Sequence, residues 1–506
     1  MQLSALLKKL PGCELHGDAS VEISGVTCDS RAVKAGALFF ALRGVTSDGH
    51  RYISDALESG AAAVVLEDAS FAPANVTWVQ VPEGRQAMAQ MSAEFYGQPT
   101  AGLPLIGITG TNGKTTTTYL IEAIMGAAGI PAAVLGTISY RFGAMAIEAS
   151  HTTPESTELQ AAFRKLADAG AKGFVMEVSS HALEQKRVDG CCFDVGIFSN
   201  LTRDHLDYHK TMESYLAAKK RLFAELLRPD AVKPVRRAVI NKDDACGTEL
   251  AASAACPVIS YSATYAADVY AKDCTLTVDG ISGTLVTPQG QTAFASRLMG
   301  RFNLYNLLAA AAAAVALDIP LDAIKKGIEG HAKVPGRMER VENDQDIAVL
   351  VDYAHTGDAL ENVLSTVREV AKGRIITVFG CGGDRDPGKR PIMGRIAAEM
   401  SDLAIVTSDN PRTEQPLVIM EQIHEGIKPL GLQMYNTEEL QSGFGQKGYA
   451  MVENRRDAIR LAVRAARPGD VVMLAGKGHE DYQIIGTVKH HFDDREEAAR
   501  ALAEVR

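Results

Sequence analysis

The stretch Gly107-Ile-Thr-Gly-Thr-Asn-Gly-Lys-Thr-Thr-Thr-Thr118 constrains this chain more than any other. Leu105-Ile106 before it ends an apolar strand, and Tyr119-Leu-Ile-Glu-Ala-Ile-Met125 after it repeats apolar residues at helical spacing. Strand, glycine loop and helix in that order aim successive backbone N–H groups into one concavity at a helix N-terminus, where a phosphate gains hydrogen bonds and the positive end of the helix dipole. In such a loop Lys114 reaches the β- and γ-phosphates, and Thr115 holds Mg²⁺ through its hydroxyl. The generic pattern wants glycine at 108, where this chain has isoleucine; the glycine stands at 110, so Thr109-Gly-Thr-Asn-Gly-Lys-Thr115 reads as a tighter subtype. Nucleotide binding is the working premise, against the plainer reading of a glycine turn ahead of an ordinary helix.

A chain of 506 residues with 46% hydrophobic content buries large cores and divides into about three domains. A net charge of -10 argues against a nucleic-acid scaffold and for small-molecule partners, with room for a locally basic cleft. Eight cysteines without C-x-x-C spacing read as reduced thiols in a cytosol. Lys8, Lys9 and Pro11 stand where a signal peptide would place its apolar core, so no export is expected. The longest apolar run, 307–317, is mostly alanine and too short to span a bilayer; it reads as a buried helix, with no membrane insertion.

Three α/β segments are expected. Residues 1–98 alternate short strands with helices, and their polar loops Asp29-Ser-Arg31 and Asp48-Gly-His50 suit either an anionic ligand or plain turn chemistry. Residues 99–333 carry the phosphate loop and three further strands, Gly173-Phe-Val-Met-Glu-Val-Ser-Ser180, Asp194-Val-Gly-Ile-Phe-Ser-Asn200 and Ala238-Val-Ile-Asn241. Carboxyl ends of parallel strands face the ligand crevice, so Glu177, Ser179, Ser180, Asn200 and Asn241 are placed where chemistry happens. Residues 334–506 repeat the alternation, with strands at 347–351, 375–379, 403–406 and 471–474 and helices near 358–370, 390–400, 416–427 and 456–466. No G-x-G-x-x-G follows the first of these strands, so no nicotinamide cofactor is implied.

Glu177 is either a metal ligand or a strand-end acid in a salt bridge. Asn200-Leu-Thr-Arg-Asp-His205 on the next loop favours metal: Mg²⁺ keeps few protein ligands, so Thr115 and Glu177 suffice for one ion and His205 serves a second. Lys219 lies in an amphipathic run and by spacing fits a solvated lysine; a buried lysine would instead have a lowered pKa and add CO₂ as an anionic carbamate, and both readings stay open. Asn241-Lys-Asp-Asp244 matches the N-K-x-D guanine-reading motif, yet no D-x-x-G switch lies between it and the phosphate loop. In the last segment Gly380-Cys-Gly-Gly-Asp-Arg-Asp386, Asp409-Asn-Pro-Arg412 and Gly476-Lys-Gly-His-Glu480 follow strands and combine arginine with acids, as an amino-acid substrate requires.

Thr109-Gly-Thr-Asn-Gly-Lys-Thr115, Glu177-Val-Ser-Ser-His181, Asn200-Leu-Thr-Arg-Asp-His205, Ala218-Lys219, Gly300-Arg-Phe-Asn-Leu-Tyr-Asn306, Pro335-Gly-Arg-Met-Glu339 and Asp352-Tyr-Ala-His355 together resemble the Mur ligases over essentially the whole chain. The resemblance implies an N-terminal UDP-substrate domain, a central ATPase domain and a C-terminal dinucleotide-fold-like domain that binds an amino acid. It implies ATP-dependent ligation through an acyl phosphate during cytoplasmic peptidoglycan precursor synthesis, by a monomer. Asp409-Asn-Pro-Arg412 is similar to the signature of the branch that adds meso-2,6-diaminopimelate to the UDP-muramoyl dipeptide; the L-lysine branch and a folylpolyglutamate synthase-like ligase are the alternatives.

By position, Gly110, Thr111, Asn112, Gly113, Lys114, Thr115 and Thr116, with Asn303, Arg337 and Asp352, resemble ATP contacts, and Asn306 and His355 lie nearby. Thr115, Glu177, His205 and Lys219, the last as a carbamylated lysine, resemble the Mg²⁺ ligands. Ser30, Thr152, Thr153, Ser179, Gln185 and Arg187 resemble contacts to the UDP-muramoyl dipeptide. Arg385, Asp409, Asn410, Arg412, Gly476 and Glu480 resemble the diaminopimelate site. Gly357 stands where the family pattern leads one to expect proline.

Overall fold

The computed structural model describes residues 1–8, 10–44, 47–330 and 334–505; Lys9, and Lys333 at the expected second domain boundary, lie outside the described residues. Contacts divide the chain into two compact units, one of Met1–Ala271, Leu285–Thr292 and Tyr305–Ile328, the other of Lys272–Thr284, Ala293–Leu304 and Glu329–Arg506.

The first unit holds two sheets. In the N-terminal one the strand order is Glu14–His16, Thr77–Gln80, Ala63–Leu66, Ala37–Ala41, Gly25–Thr27, parallel except at the first pair. Side chains alternate across a strand. Leu38 and Phe40 therefore join the core under the helix Gly84–Phe95, while Phe39 and Ala41 join a second core on the opposite face. Both polar loops of this region are capped turns: Asp29 accepts from Arg31 N at 3.0 Å and Asp48 from His50 N at 3.1 Å, each opening a 3₁₀ turn.

The second sheet is organised around Leu105–Thr109. Gly173–Glu177 and then Ala132–Leu135 flank it on one side, Val195–Phe198, Arg237–Asn241 and Val258–Ser262 on the other, all parallel. Leu105–Thr109 and Gly173–Glu177 are buried at every position, as a sheet covered on both faces requires. Because the chain leaves Leu105–Thr109 toward one edge and later returns to build the other, the strand order reverses there, and loops diverge to leave a crevice at the carboxyl ends. The expected strand through Ser180 stops earlier, at Glu177: Ser179 accepts from Ala182 N at 3.2 Å and caps the helix Ser180–Glu184.

The second unit carries a sheet ordered Glu339–Val341, Ala348–Asp352, Val471–Ala475, Ile375–Phe379, Leu403–Val406, Gly448–Met451, Gln433–Met434, antiparallel only at the first pair. Its strands and the helices Gly357–Val370, Lys389–Met400, Pro416–Ile427 and Arg455–Ala465 lie within a residue or so of the expected positions. A glycine suits the start of Gly357–Val370, because a Cβ there would stand 2.9 Å from Ile392 Cγ2. The edge pair Gln433–Met434 and Gly448–Met451, the hairpin Tyr482–Ile485 and Val488–His491, and the helix Asp494–Glu504 had no apolar signature strong enough to announce them. Among the described residues no helix is long and apolar enough to cross a membrane. All eight cysteines are free.

Candidate active site

The loop after Leu105–Thr109 is shaped by close approach. A Cβ on Gly110, at φ +148°, would lie 1.9 Å from Ser199 Oγ, and one on Gly113, at φ +89°, would lie 2.3 Å from Asn306 Oδ1. Only glycine fits either place. Neighbouring loops then hold the turn: Thr111 N donates to Asn200 O at 2.9 Å, Asn112 N to Asn200 Oδ1 at 2.9 Å, and Ser199 Oγ to Asn112 O at 2.7 Å. Lys114 curls over the loop, its Nζ donating to Gly110 O and Thr111 O, both at 2.9 Å. Thr115 and Thr116 are buried in the first turn of the helix Lys114–Ala127.

Glu177, 1% exposed, is the acid of this crevice. Its carboxylate accepts from Thr115 Oγ1 at 2.9 Å, Thr137 N at 3.0 Å and Thr137 Oγ1 at 3.0 Å. A hydroxyl and a carboxylate converging at the start of the loop helix are the hard oxygen donors that Mg²⁺ takes, with phosphate and water completing its shell. Among the described residues no group of three His, Cys, Asp or Glu side chains is gathered for a metal. A site of this kind does not need one. His205, left-handed at φ 54°, stacks edge-on to His181 at 5.0 Å.

Lys219 is 1% exposed, its ammonium 4.4 Å from the centre of the Tyr215 ring. Burial first, then the Lys114 ammonium, press its pKa well below the usual lysine value against the opposing pull of Asp204. The solvated reading of this lysine is thereby excluded, and burial shifts the group in the direction of the neutral amine.

The dipeptide candidates form one network beside Glu177. Arg187 donates to Thr153 O at 2.8 Å and to Gln185 Oε1 at 2.7 and 3.1 Å, and Gln185 Nε2 donates to Tyr208 OH at 3.1 Å. Thr152 Oγ1 meets Thr137 Oγ1 at 3.1 Å. Thr153 is fully buried, its hydroxyl donating to Glu177 O at 2.8 Å and accepting from Ser179 N at 3.0 Å, so the hydroxyl braces the strand end. Ser30 stands apart from this network, on the 3₁₀ turn Ser30–Ala32 of the N-terminal sheet.

In the second unit Asp352 is buried and accepts from Met338 N and Ala354 N, both at 2.8 Å, which ties the Arg337 turn to the strand end. Arg337 lies over the Tyr353 ring at 5.1 Å. Asn303 Nδ2 donates to Met299 O at 2.8 Å, and His355 Nδ1 meets Tyr353 O at 2.8 Å. The three loops expected to face an amino acid come together at the strand ends: Gly383 N donates to Asn410 O at 2.9 Å, Asn410 Nδ2 to Glu480 Oε2 at 2.9 Å, and Arg412 to Gly383 O at 2.8 Å. Burial pushes Glu480 up; burial pushes Asp409 up too, but the Lys477 and Arg455 charges outweigh it and hold Asp409 low. Gly476, at φ +115°, turns the third loop, and Arg385 is exposed on the first.

Three family models match this chain: the Mur ligase family catalytic domain over residues 22–96, the Mur ligase middle domain over 108–314 and the Mur ligase glutamate ligase domain over 336–478. The chain belongs to the Mur ligase family. A UDP-N-acetylmuramoyl-L-alanyl-D-glutamate--2,6-diaminopimelate ligase of Geobacter metallireducens is 64% identical over 505 residues, covering 100% of this chain and 99% of the relative. The like-named protein of Geobacter sulfurreducens is 62% identical, with 99% of each chain covered. A solved structure of a ligase of the same name is 35% identical, covers 100% of this chain and 99% of its own, and has a TM-score of 0.72.

Within this Mur ligase, Thr137 is a neighbour of the candidate site, bonded to Glu177, that motif reading missed. It follows the buried parallel strand Ala132–Leu135, and the rule that strand ends face the crevice would have found it. Tyr215, which meets Thr111 Oγ1 at 3.2 Å, gave no signal of its own. The N-K-x-D match is turn chemistry: Asp244 accepts from Leu201 N and Cys246 N, both at 2.9 Å.

The second unit of the ligase should be acid-sensitive. Burial, then Arg337 and Arg495, press His479 down to about 4, and its Nδ1 is buried without a hydrogen-bond partner among the described residues. An unfolded histidine protonates near its ordinary value of about 6.5. Between that value and about 4 the unfolded chain therefore binds the extra proton, and stability falls as pH drops through this window. Tm measured across the window should decline less steeply for His479→Gln; an unchanged slope would refute the assignment.

Proposed function

We infer that this chain is the ATP-dependent ligase that adds meso-2,6-diaminopimelate to UDP-N-acetylmuramoyl-L-alanyl-D-glutamate. The observation that carries the reading is the 64% identity over 505 residues to a ligase of that name. The domains expected at 1–98, 99–333 and 334–506 would take the UDP group, ATP and the amino acid respectively. The work is cytoplasmic, and a monomer suffices for it.

The γ-carboxylate of the D-glutamyl residue attacks the γ-phosphorus of ATP; the acyl phosphate forms and ADP leaves. The amine of diaminopimelate then attacks the acyl carbon, phosphate leaves and the amide nitrogen loses its proton. The chain supplies placement and charge for the first step. Gly110, Thr111, Asn112 and Gly113 cradle the phosphates, Lys114 swings from the loop carbonyls to the γ-phosphate, and Asn303, Arg337 and Asp352 frame the nucleotide. Thr115, Glu177, His205 and carbamylated Lys219 would hold Mg²⁺, which when bound neutralises phosphate charge. For the carbamate, the neutral Lys219 amine adds to CO₂ and releases one proton, and the buried site favours the neutral amine that starts it. Ser30 takes the diphosphate, Thr152, Gln185 and Arg187 the muramoyl dipeptide, and Thr153 and Ser179 brace that wall. Arg385, Asp409, Arg412 and Glu480 face the amino acid, with Gly476 and Asn410 shaping their loops.

ADP release with ATP, Mg²⁺ and the UDP-muramoyl dipeptide, with meso-diaminopimelate or L-lysine as acceptor, tests this directly. Turnover with diaminopimelate and little with lysine is expected. Turnover with lysine alone would overturn the acceptor, and none with either would overturn the ligase.

A further inference from the structure

Lys477 is a fully buried lysine that no motif reading singled out and that the reaction does not consume. Its ammonium donates to Asn410 Oδ1 at 3.1 Å and to Tyr482 O at 2.7 Å, and it faces Asp409 Oδ1 at 3.2 Å and Glu480 Oε2 at 3.8 Å. A buried ammonium is tolerated only when surrounded by acceptors, and here they come from two stretches of chain, residues 409–410 and 480–482. One charge thus ties the Asp409-Asn-Pro-Arg412 loop, the Gly476-Lys-Gly-His-Glu480 loop and the first strand of the hairpin.

Two further observations join the same scaffold. The Asn410 amide is spent inside the protein: its oxygen accepts from Lys477 and from Ile484 N at 2.9 Å, and its nitrogen donates to Glu480. Asn410 therefore relays position between Lys477 and Glu480. The strand Tyr482–Ile485 also splints the loop backbone, with Gln483 Nε2 on Asp409 O at 2.7 Å and Arg412 N on Ile484 O at 3.1 Å, and Gly486 N closes onto Arg412 O at 2.8 Å. Arg412 is left-handed at φ 51°, a conformation that a side chain of its kind keeps only when its surroundings hold it.

We propose that Lys477, acting with the strand Tyr482–Ile485, is a positioning residue that sets the spacing between the Asp409 and Glu480 carboxylates and the Arg412 guanidinium, and thereby the acceptor that the site selects. This rests on the amino-acid-ligase reading above. Lys477→Met in the full chain should raise the diaminopimelate KM by roughly tenfold to a hundredfold, leave the ATP KM within about twofold, and lower the preference for diaminopimelate over lysine in proportion. Gln483→Ala, on the half-exposed hairpin, should shift selectivity in the same direction by a few fold. An equal rise in both KM values, or a diaminopimelate KM within about twofold of wild type, overturns the proposal. If Lys477→Met does not fold by circular dichroism, Gln483→Ala decides, and unchanged selectivity there overturns it as well. Wild-type protein idle with every acceptor sinks the ligase reading and this proposal together, whereas an active wild type with an indifferent variant sinks the proposal alone.

Discussion

Glu177→Gln should lower kcat by on the order of 10²- to 10³-fold while leaving the protein as stable as wild type. The isosteric amide keeps most of the local bonding. Its oxygen can accept from Thr115 Oγ1 and Thr137 N, which now meet Glu177 Oε1, and its NH₂ can donate to the Thr137 hydroxyl once that rotor turns. What disappears is the negative charge beside the phosphate loop. Steady-state kinetics against Mg²⁺ concentration should show both the lower kcat and a higher Mg²⁺ requirement, with Tm unmoved. Retention of more than about half the wild-type kcat would mean that the carboxylate only braces the loop. Glu177→Ala is the poorer experiment, because it leaves buried donors unpaired at roughly 1–3 kcal/mol each and mixes stability with catalysis.

Arg455→Met should destabilise the second unit by about 3–5 kcal/mol. Arg455 and Asp494 are both without solvent exposure at the side chain, and the pair is bidentate, with Nε on Oδ1 at 2.8 Å and Nη2 on Oδ2 at 2.6 Å. Removing the arginine strands a buried carboxylate at the start of the helix Asp494–Glu504. Replacing both partners with apolar residues should recover most of the loss, since desolvating an ion pair offsets much of its attraction. Urea unfolding of Arg455→Met and of Arg455→Met/Asp494→Leu measures the two effects. A single variant within about 1 kcal/mol of wild type would show that Asp494 finds another partner or that water reaches it. Asp409 and Glu480 also contribute to keeping Arg455 charged, so the same substitution should weaken acceptor binding before it touches ATP.

The chemistry that lies within a few residues was legible from the chain alone. Gly110, Gly113, Lys114 and Thr115 declare a phosphate loop because the strand before them and the helix after them follow from local apolar periodicity. The parallel strands of both large sheets were readable for the same reason, since a strand buried on both faces is an unbroken apolar run. The hairpin Tyr482–Ile485 and Val488–His491 was not, because its outer strand is exposed throughout and carries no such run. Local pattern also misled at Asn241-Lys-Asp-Asp244, where a recognisable motif proved to be a turn.

Which groups are charged, paired or spent is a different matter. Lys219, Lys220 and Arg221 read alike along the sequence, yet packing against Tyr215 buries Lys219 almost completely while its neighbours stay partly exposed. Along the sequence Thr153 and Asn410 read only as candidate ligand contacts; the fold adds that the Thr153 hydroxyl is bonded to Glu177 and Ser179 and that the Asn410 amide is shared among Lys477, Ile484 and Glu480. Arg455 meets an aspartate 39 positions away and Lys477 an asparagine 67 positions away. Backbone sterics and side-chain periodicity act over a turn or a strand, so the sequence carries the elements, the phosphate loop and the family. Desolvation and charge pairing depend on groups brought together from remote positions, so the state of Lys219, the clamp on Glu177 and the Lys477 scaffold exist only once the chain has folded.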